Sequence, residues 1–274
     1  MSLPESGLTA STKTPMAPRM AGLGRTHIGL VRGRNEDAFR VGADGTYGIV
    51  ADGMGGGPAG DVASRIAADA ASTHLAQLRD PLTGRQGGAG SRAALLARAV
   101  GEAVREANAA VRRHVLAEPS FHGMGCTLTI AAVDPETSTF AVGHVGDSRA
   151  YRVSRDAWQR LTQDHTLAQE SVDEGRLTRE AARHHPFGHV LTRVIGIDPD
   201  VDPQVTLGRL EVGDTLLLCT DGLVRVVEEG DIVARAGSGA ALATIADSLV
   251  DEAVAGGGPD NITLVLMRAE EDER

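Results

Sequence analysis

The sequence predicts an α+β domain in which strands and helices are grouped instead of alternating. Three observations carry this expectation. Short apolar runs, bounded by Gly, Pro, Asn and Asp, cluster in sets along the chain. Two longer segments between the first sets repeat apolar residues at helical spacing. Strand and helix signals do not follow one another singly, as βαβ units would require. With 274 residues, 42% of them hydrophobic, the chain can build a sizeable core.

The elements follow in order. Residues 1–20 mix Ser, Thr, Pro and Ala without period and read as a disordered leader, so the folded domain is expected over 21–270. "THIGLVR", "EDAFRVG" and "TYGIVAD" read as short strands with turn chemistry between them. A helix is expected from about Ala59, with Val62, Ile66, Ala70 and Leu75 near helical spacing. Residues 80–91 form a loop by their Gly and Pro content. A second helix is expected over 92–116, where Leu96, Val100, Val104, Ala107, Val111 and Val115 step by 4, 4, 3, 4 and 4. Strands return in "CTLTIAAV", "TFAVGHVG" and "RAYRVS", the first two joined by a hairpin at Asp134-Pro135. The polar stretch over 163–189 carries two short helical segments. "DTLLLCTDG" reads as a buried strand, 240–255 as a helix with Leu242, Ile245, Ala246 and Leu249 on one face, and "NITLVLMRA" as the last strand.

Charge and cysteine content narrow the function. A formal net charge of −10 argues against nucleic acid and against an anionic lipid surface as partners. Cys126 and Cys219 lie far apart in apolar runs and read as two buried free thiols of a reducing compartment. No apolar run approaches the roughly 18 residues of a membrane span, and the N-terminus lacks a signal-peptide core. A soluble, cytoplasmic monomer is the expectation.

The acidic residues are more informative. Asp52 and Asp221 each end an apolar strand at an Asp-Gly pair, Asp260 precedes one, Asp147 lies between two, and Glu36 and Asp37 open another. An aspartate at a turn ordinarily bonds its own backbone and does nothing further. Here Asp52 leads into a long helix, so "DGMGGG" is not a hairpin loop. Strand ends from distant parts of a layered sheet fold can also converge on one edge. Carboxylates gathered there repel unless cations neutralise them, and an all-oxygen donor set suits Mg²⁺ or Mn²⁺. The glycines beside Asp52 allow a backbone carbonyl to approach a metal closely. Arg32 and Arg34 precede Glu36 and Asp37; they suit solvated ion pairs, or a fork that grips phosphate.

At these residues the chain resembles the metal-dependent Ser/Thr protein phosphatases of type 2C, in their compact bacterial form. The motifs, in order, are "VRGRNEDA", "VADGMGGGPAGDVAS", "GMGCTLT", "GHVGDSRAY", "LTQDHT", "LTRVIGIDPDV", "GDTLLLCTDGL" and "PDNITLVL", covering roughly 24–268. The resemblance implies a four-layer α/β/β/α sandwich, two antiparallel sheets flanked by helix pairs, with metals at one edge. It implies two Mn²⁺ or Mg²⁺ ions per active site. Asp52 then bridges both, Asp221 and Asp260 complete the first, and Glu36 and the Gly53 carbonyl bind the second. Asp37 orients bound water, Arg32 grips phosphate, and Asp147 resembles the residue that binds a weaker third metal. The implied reaction is hydrolysis of phosphoserine or phosphothreonine by in-line attack of water, with phosphoproteins and a Ser/Thr kinase as partners. The segment 163–189, with His165, His184, His185 and His189, resembles the mobile flap; those histidines read as surface or turn residues.

The sequence also departs from the pattern. Met54 stands where many relatives carry a His thought to act as a general acid, Gly57 replaces another His, and Cys126 replaces a Thr. Arg225 stands where many relatives carry an Asp that helps hold the third metal. That predicts altered third-metal affinity, with an Arg225–Asp147 salt bridge as one alternative. A regulatory pseudophosphatase and a small-molecule phosphohydrolase remain as competing readings.

Overall fold

The computed structural model describes residues 18–54, 59–77, 88–183 and 185–272. The chain begins with β1 (Arg19–His27), β2 (Asp37–Val41) and β3 (Tyr47–Met54), then α1 (Gly60–Ala76) and α2 (Ala89–Ala117). It continues through β4 (Gly125–Cys126), β5 (Leu128–Asp134), β6 (Thr139–Val145), β7 (Arg149–Val153) and β8 (Trp158–Arg160). The short helices α3 (Leu167–Asp173) and α4 (Arg179–Arg183) precede β9 (Gln204–Arg209) and β10 (Thr215–Cys219). Helices α5 (Asp221–Val224), α6 (Glu229–Ala236) and α7 (Leu242–Ala255) lead to β11 (Ile262–Glu270).

The strands form two antiparallel sheets. The first orders β1-β11-β10-β7-β8, and the second β2-β3-β5-β6-β9, with β4 paired to β3. Helices α1 and α2 cover the outer face of the second sheet, and α7, with α5 and α6, covers that of the first. The expected four-layer α/β/β/α sandwich is the observed architecture.

Side-chain alternation along the central strands explains their unbroken apolar runs: both faces are buried. On β10, Leu217 and Cys219 face the helices while Leu216 and Leu218 face the other sheet. On β3, Ile49 and Ala51 meet α1 and α2 while Val50 faces inward. The same parity sends the next residues, Asp52 on β3 and Thr220 after β10, into the layer between the sheets. Phe39 and Val41 pack into that layer from β2, and so their strand-mate Asp37 faces it too.

Several elements differ from expectation. Arg19 and Met20, assigned to the leader, open β1, and Met20 is buried in the inter-sheet core; the rest of that leader, residues 1–17, lies outside the described residues. The first strand is Arg19–His27, not "THIGLVR"; beyond His27 the chain leaves the ladder and Leu30 and Val31 are exposed. The stripe predicted for α1 is displaced by one residue at Val62, Ile66 and Ala70, while Leu75 is buried as expected. Ala63, Ala67, Ala71 and Leu75 are fully buried, while Val62 and Ile66 pack at the margin, because α1 lies close against the sheet and α2. Helix α2 starts at Ala89, inside the predicted loop. Strands β8 and β9 and helix α6 went unread. The "DPLTGRQ" part of the loop, Gly55–Gly57 and His184 lie outside the described residues.

Candidate metal centre

The site forms at one end of the layer between the sheets. Asp37 and Asp52 stand directly opposite each other across the β2–β3 ladder. Asp52 is fixed through its backbone: its N–H donates to Thr127 Oγ1 at 3.0 Å, and its carbonyl accepts from the Thr127 N–H at 2.9 Å. From the opposite sheet, the Thr220 hydroxyl donates to Asp37 Oδ2 at 2.9 Å and accepts the Thr263 N–H at 3.0 Å. One hydroxyl therefore joins the two sheets at the floor of the site.

Asp221 opens α5 directly after Thr220, and Asp260 precedes β11. Asn261 organises the loop that carries the remaining groups. Its Oδ1 accepts the Glu36 N–H at 2.8 Å, and its Nδ2 donates to the Ile28 carbonyl at 2.8 Å and the Arg34 carbonyl at 2.9 Å. This clamp sets Arg32 and Glu36 in place. Gly53 lies where no side chain fits, because a Cβ would fall 2.2 Å from the Gly60 carbonyl oxygen and 2.6 Å from that of Glu36. The Glu36 carboxyl in turn lies against Gly60.

Asp147 sits in the β6–β7 connection, which crosses from one sheet to the other. Gly146 before it holds φ +108, and its N–H donates to His165 Nδ1 at 3.1 Å. Ser148 after it shares a 2.7 Å hydroxyl contact with Thr127. His165 stacks on buried His144, with ring centroids 4.9 Å apart, so it is a support beneath the Asp147 turn. His185 packs instead near Phe187.

The arginines take partners that the sequence did not suggest. Arg32 donates to Asp260 Oδ2 at 2.8 Å, and Arg34 approaches Asp61 at 3.5 Å, not the adjacent Glu36 and Asp37. Arg225 makes no salt bridge with Asp147. It pairs with Asp221 Oδ2, one helical turn before it, and its second guanidinium nitrogen lies 3.4 Å from Asp260 Oδ2. The i,i+4 spacing on α5 brings the Asp221 carboxylate within reach, with the acid on the favourable N-terminal side.

Electrostatics at the site are dominated by burial. Burial, then Asp37 and Asp221, raise Asp52 well above the usual carboxylate range. Burial pushes Asp37 up to about 7, against the Thr263 and Thr220 hydroxyls. Burial, then Asp221 and Asp164, push Asp147 up to about 7. Asp221 and Glu36 are raised by burial as well. Two buried oxygens, Asp37 Oδ1 and Asp221 Oδ1, have no hydrogen-bond partner. Among the described residues no three acidic, His or Cys side chains close into a ready-made ion cage. Thr220 and the arginines already partner three of these carboxylates. Orphaned carboxylate oxygens, mutual repulsion and an all-oxygen donor set nevertheless fit a hard divalent cation.

Cys126 and Cys219 are both free and buried, and burial raises both thiols, Cys219 to about 12. Neither suits a nucleophile. Thr127, Thr220 and Asn261 were not singled out from the sequence. The available signals were parity for Thr220, two residues past Leu218, and the position of Asn261 beside Asp260.

The layered fold and the carboxylate edge define the class, and comparison with known proteins agrees. Residues 23–254 match the Protein phosphatase 2C family, to which the chain belongs. It is 38% identical over 242 residues to the serine/threonine protein phosphatase PstP of Mycobacterium tuberculosis, covering 88% of this chain but 43% of PstP. It is 33% identical over 246 residues to the serine/threonine phosphatase stp of Listeria innocua, covering 89% of this chain and 93% of that protein. The crystal structure of the PstP catalytic domain in complex with 2 manganese ions superposes with a TM-score of 0.76 at 33% identity, over 92% of this chain and 99% of that one.

Proposed function

We propose that the protein is a metal-dependent phosphatase that hydrolyses phosphoserine and phosphothreonine in proteins. The observation that carries this reading is the convergence of Asp37, Asp52, Asp221 and Asp260 on one edge, with buried oxygens left unpartnered, in a chain of the 2C family. We assign Asp52, Asp221, Asp260, Glu36 and the Gly53 carbonyl to two Mn²⁺ or Mg²⁺ ions, and Asp147 to a weaker third. When bound, such ions lower the pKa of a shared water and offset phosphate charge.

The chain's own groups do the rest. Arg32, half-exposed and held by Asp260, presents its guanidinium to phosphate oxygens at the rim. Asp37, steadied by Thr220 through Oδ2, keeps Oδ1 free to accept a hydrogen bond from the attacking water and orient it. Met54 offers no proton, so the leaving serine or threonine oxygen takes its proton from solvent. The Gly53–Gly60 contact, which excludes any Cβ, brings the Gly53 carbonyl region against Glu36. Buried free thiols fit a cytoplasmic protein. Its partners are phosphoproteins and the Ser/Thr kinase that forms them.

The test is hydrolysis of para-nitrophenyl phosphate and of a phosphothreonine peptide, with Mn²⁺ and with EDTA, by the wild type and Asp52→Asn. Turnover that needs Mn²⁺, is lost in Asp52→Asn and extends to the peptide is expected. Metal-independent turnover, or an unaffected variant, overturns the mechanism. Activity on the small ester alone overturns the substrate class.

A further inference from the structure

Arg225 brings a positive charge to the Asp221–Asp260 side of the site, where it works against cation binding. It is anchored one turn after Asp221, its backbone N–H donating to the Asp221 carbonyl at 2.9 Å. From the rim its side chain, 42% exposed, reaches inward to two carboxylates that are only 12% and 15% exposed. One guanidinium nitrogen pairs with Asp221 Oδ2 and the other lies 3.4 Å from Asp260 Oδ2. These are two of the carboxylates assigned above to the first ion. Arg32 reaches the same Asp260 oxygen at 2.8 Å, so Asp260 Oδ2 sits between two fixed positive charges.

We propose that Arg225 is a built-in counter-cation that neutralises the Asp221–Asp260 pair in the metal-free protein and lowers the affinity of that pair for divalent ions. The inference rests on the metal-site reading above. A guanidinium is charged at every working pH, so the competition cannot be titrated away. Its planar fork spans two carboxylates, which a lysine ammonium on its stem does less well. An isolated ion pair at an exposed site contributes little, but here the partners are nearly buried and crowded by other carboxylates. Removing the arginine leaves them repelling each other in the metal-free protein and open to a metal. Two opposite effects follow from one substitution: lower stability without metal and tighter binding of it. A merely structural salt bridge gives the first without the second.

The experiment is calorimetric titration of MnCl₂ into EDTA-stripped, dialysed wild type, Arg225→Gln and Arg225→Lys, with thermal unfolding of each in EDTA. Arg225→Gln is expected to bind Mn²⁺ about tenfold tighter and to unfold about 2–4 °C lower without metal. Arg225→Lys should fall between. Unchanged or weaker Mn²⁺ affinity in Arg225→Gln overturns the inference. If Arg225→Gln does not fold without metal, Arg225→Lys decides: affinity equal to wild type overturns the inference, and tighter binding supports it. Equal binding across variants that still hydrolyse phosphate defeats this inference alone. No Mn²⁺ binding in any of them defeats the metal-site reading with it.

Discussion

The two sheets deliver different kinds of carboxylate to the same edge. The second sheet brings Asp37 and Asp52, opposite one another, half-buried, and held by hydroxyl and amide groups. Among the described residues neither makes an ion pair with an arginine. The first sheet brings Asp221 and Asp260, both paired to guanidinium groups. One side of the site is partly neutralised by the chain itself, although burial still raises Asp221; the other keeps its charge only when a cation arrives. A binding site of this kind is assembled from a tense half and a relaxed half, and substitutions on the two halves should behave differently.

The largest effect is expected on the tense side. Asp52→Asn removes the most disfavoured charge, so Mn²⁺-dependent turnover should fall by about three orders of magnitude or more. The same change should raise the melting temperature in EDTA by about 2–4 °C, because it relieves repulsion. A lower melting temperature in EDTA would show that Asp52 is not strained and break the contrast between the halves.

Next comes the clamp that ties the halves together. Asn261→Ala strands the Glu36 N–H and the Ile28 and Arg34 carbonyls at once. The expected cost is about 2–4 kcal/mol, read as a lower urea midpoint with unchanged slope. Loosening Arg32 should also raise KM for a phosphopeptide more than it lowers kcat. An unchanged midpoint would mean that water replaces the amide without loss.

Thr220→Val tests the bridge between the sheets. It removes the donor to Asp37 and the acceptor for the Thr263 N–H, at about 1–2 kcal/mol. Losing a hydrogen bond to the charged form moves Asp37 further upward, so the acid limb of the pH–rate profile should shift to higher pH. Thr220→Ser should restore both. A profile that does not move in Thr220→Val would separate the hydroxyl from Asp37.

How much of this was legible in the sequence depended on whether the signal was local. The apolar runs ending at Asp52 and Asp221 were readable because burial on both faces makes them continuous. The strand β1 was not, since "RMAGLGRTH" has no alternation: Gly22 and Gly24 leave room for Val41 and Phe39 to lie over the backbone. The half-buried edge strand β9 was missed for a related reason, with Phe140 lying over Gly208. The α1 face went to alanines because close packing favours small side chains over the larger Val62 and Ile66. Thr220 and Asp37 are 183 residues apart and meet only because two sheets stack. Arg225 stood out as a departure from the family pattern, but the salt bridge offered for it with Asp147 is not formed; the local Asp221, one turn away, takes the guanidinium.

The last predicted effect is a slope in pH, and its sign separates the two halves from the histidines beneath them. In the metal-free protein Asp37 and Asp147 titrate near about 7, and Asp52 is raised well above the usual range. Unfolded carboxylates titrate near ~3.9, so the folded protein binds more protons across this interval. That stabilisation is complete below the unfolded value and lost as pH rises through about 7. His144 and His165 oppose it. Burial, then the neighbouring His165, press His144 down to about 3; burial, then Arg193, press His165 down to about 4. The unfolded chain therefore takes up their protons first, and stability is lost as pH falls below the unfolded histidine value of ~6.5. Each group contributes at most about 1.4 kcal/mol per pH unit. In EDTA the carboxylates outnumber the histidines, so stability should hold or rise on acidification from pH ~7.5 to ~5. With saturating Mn²⁺ the carboxylates stay ionised, the histidines act alone and release of the metal adds to them, so stability should fall over the same range. Urea midpoints at several pH values, with and without Mn²⁺, read both slopes. Equal slopes would mean that the carboxylates do not carry the strain assigned to them, whereas opposite slopes that converge in Asp52→Asn would locate it on the second sheet.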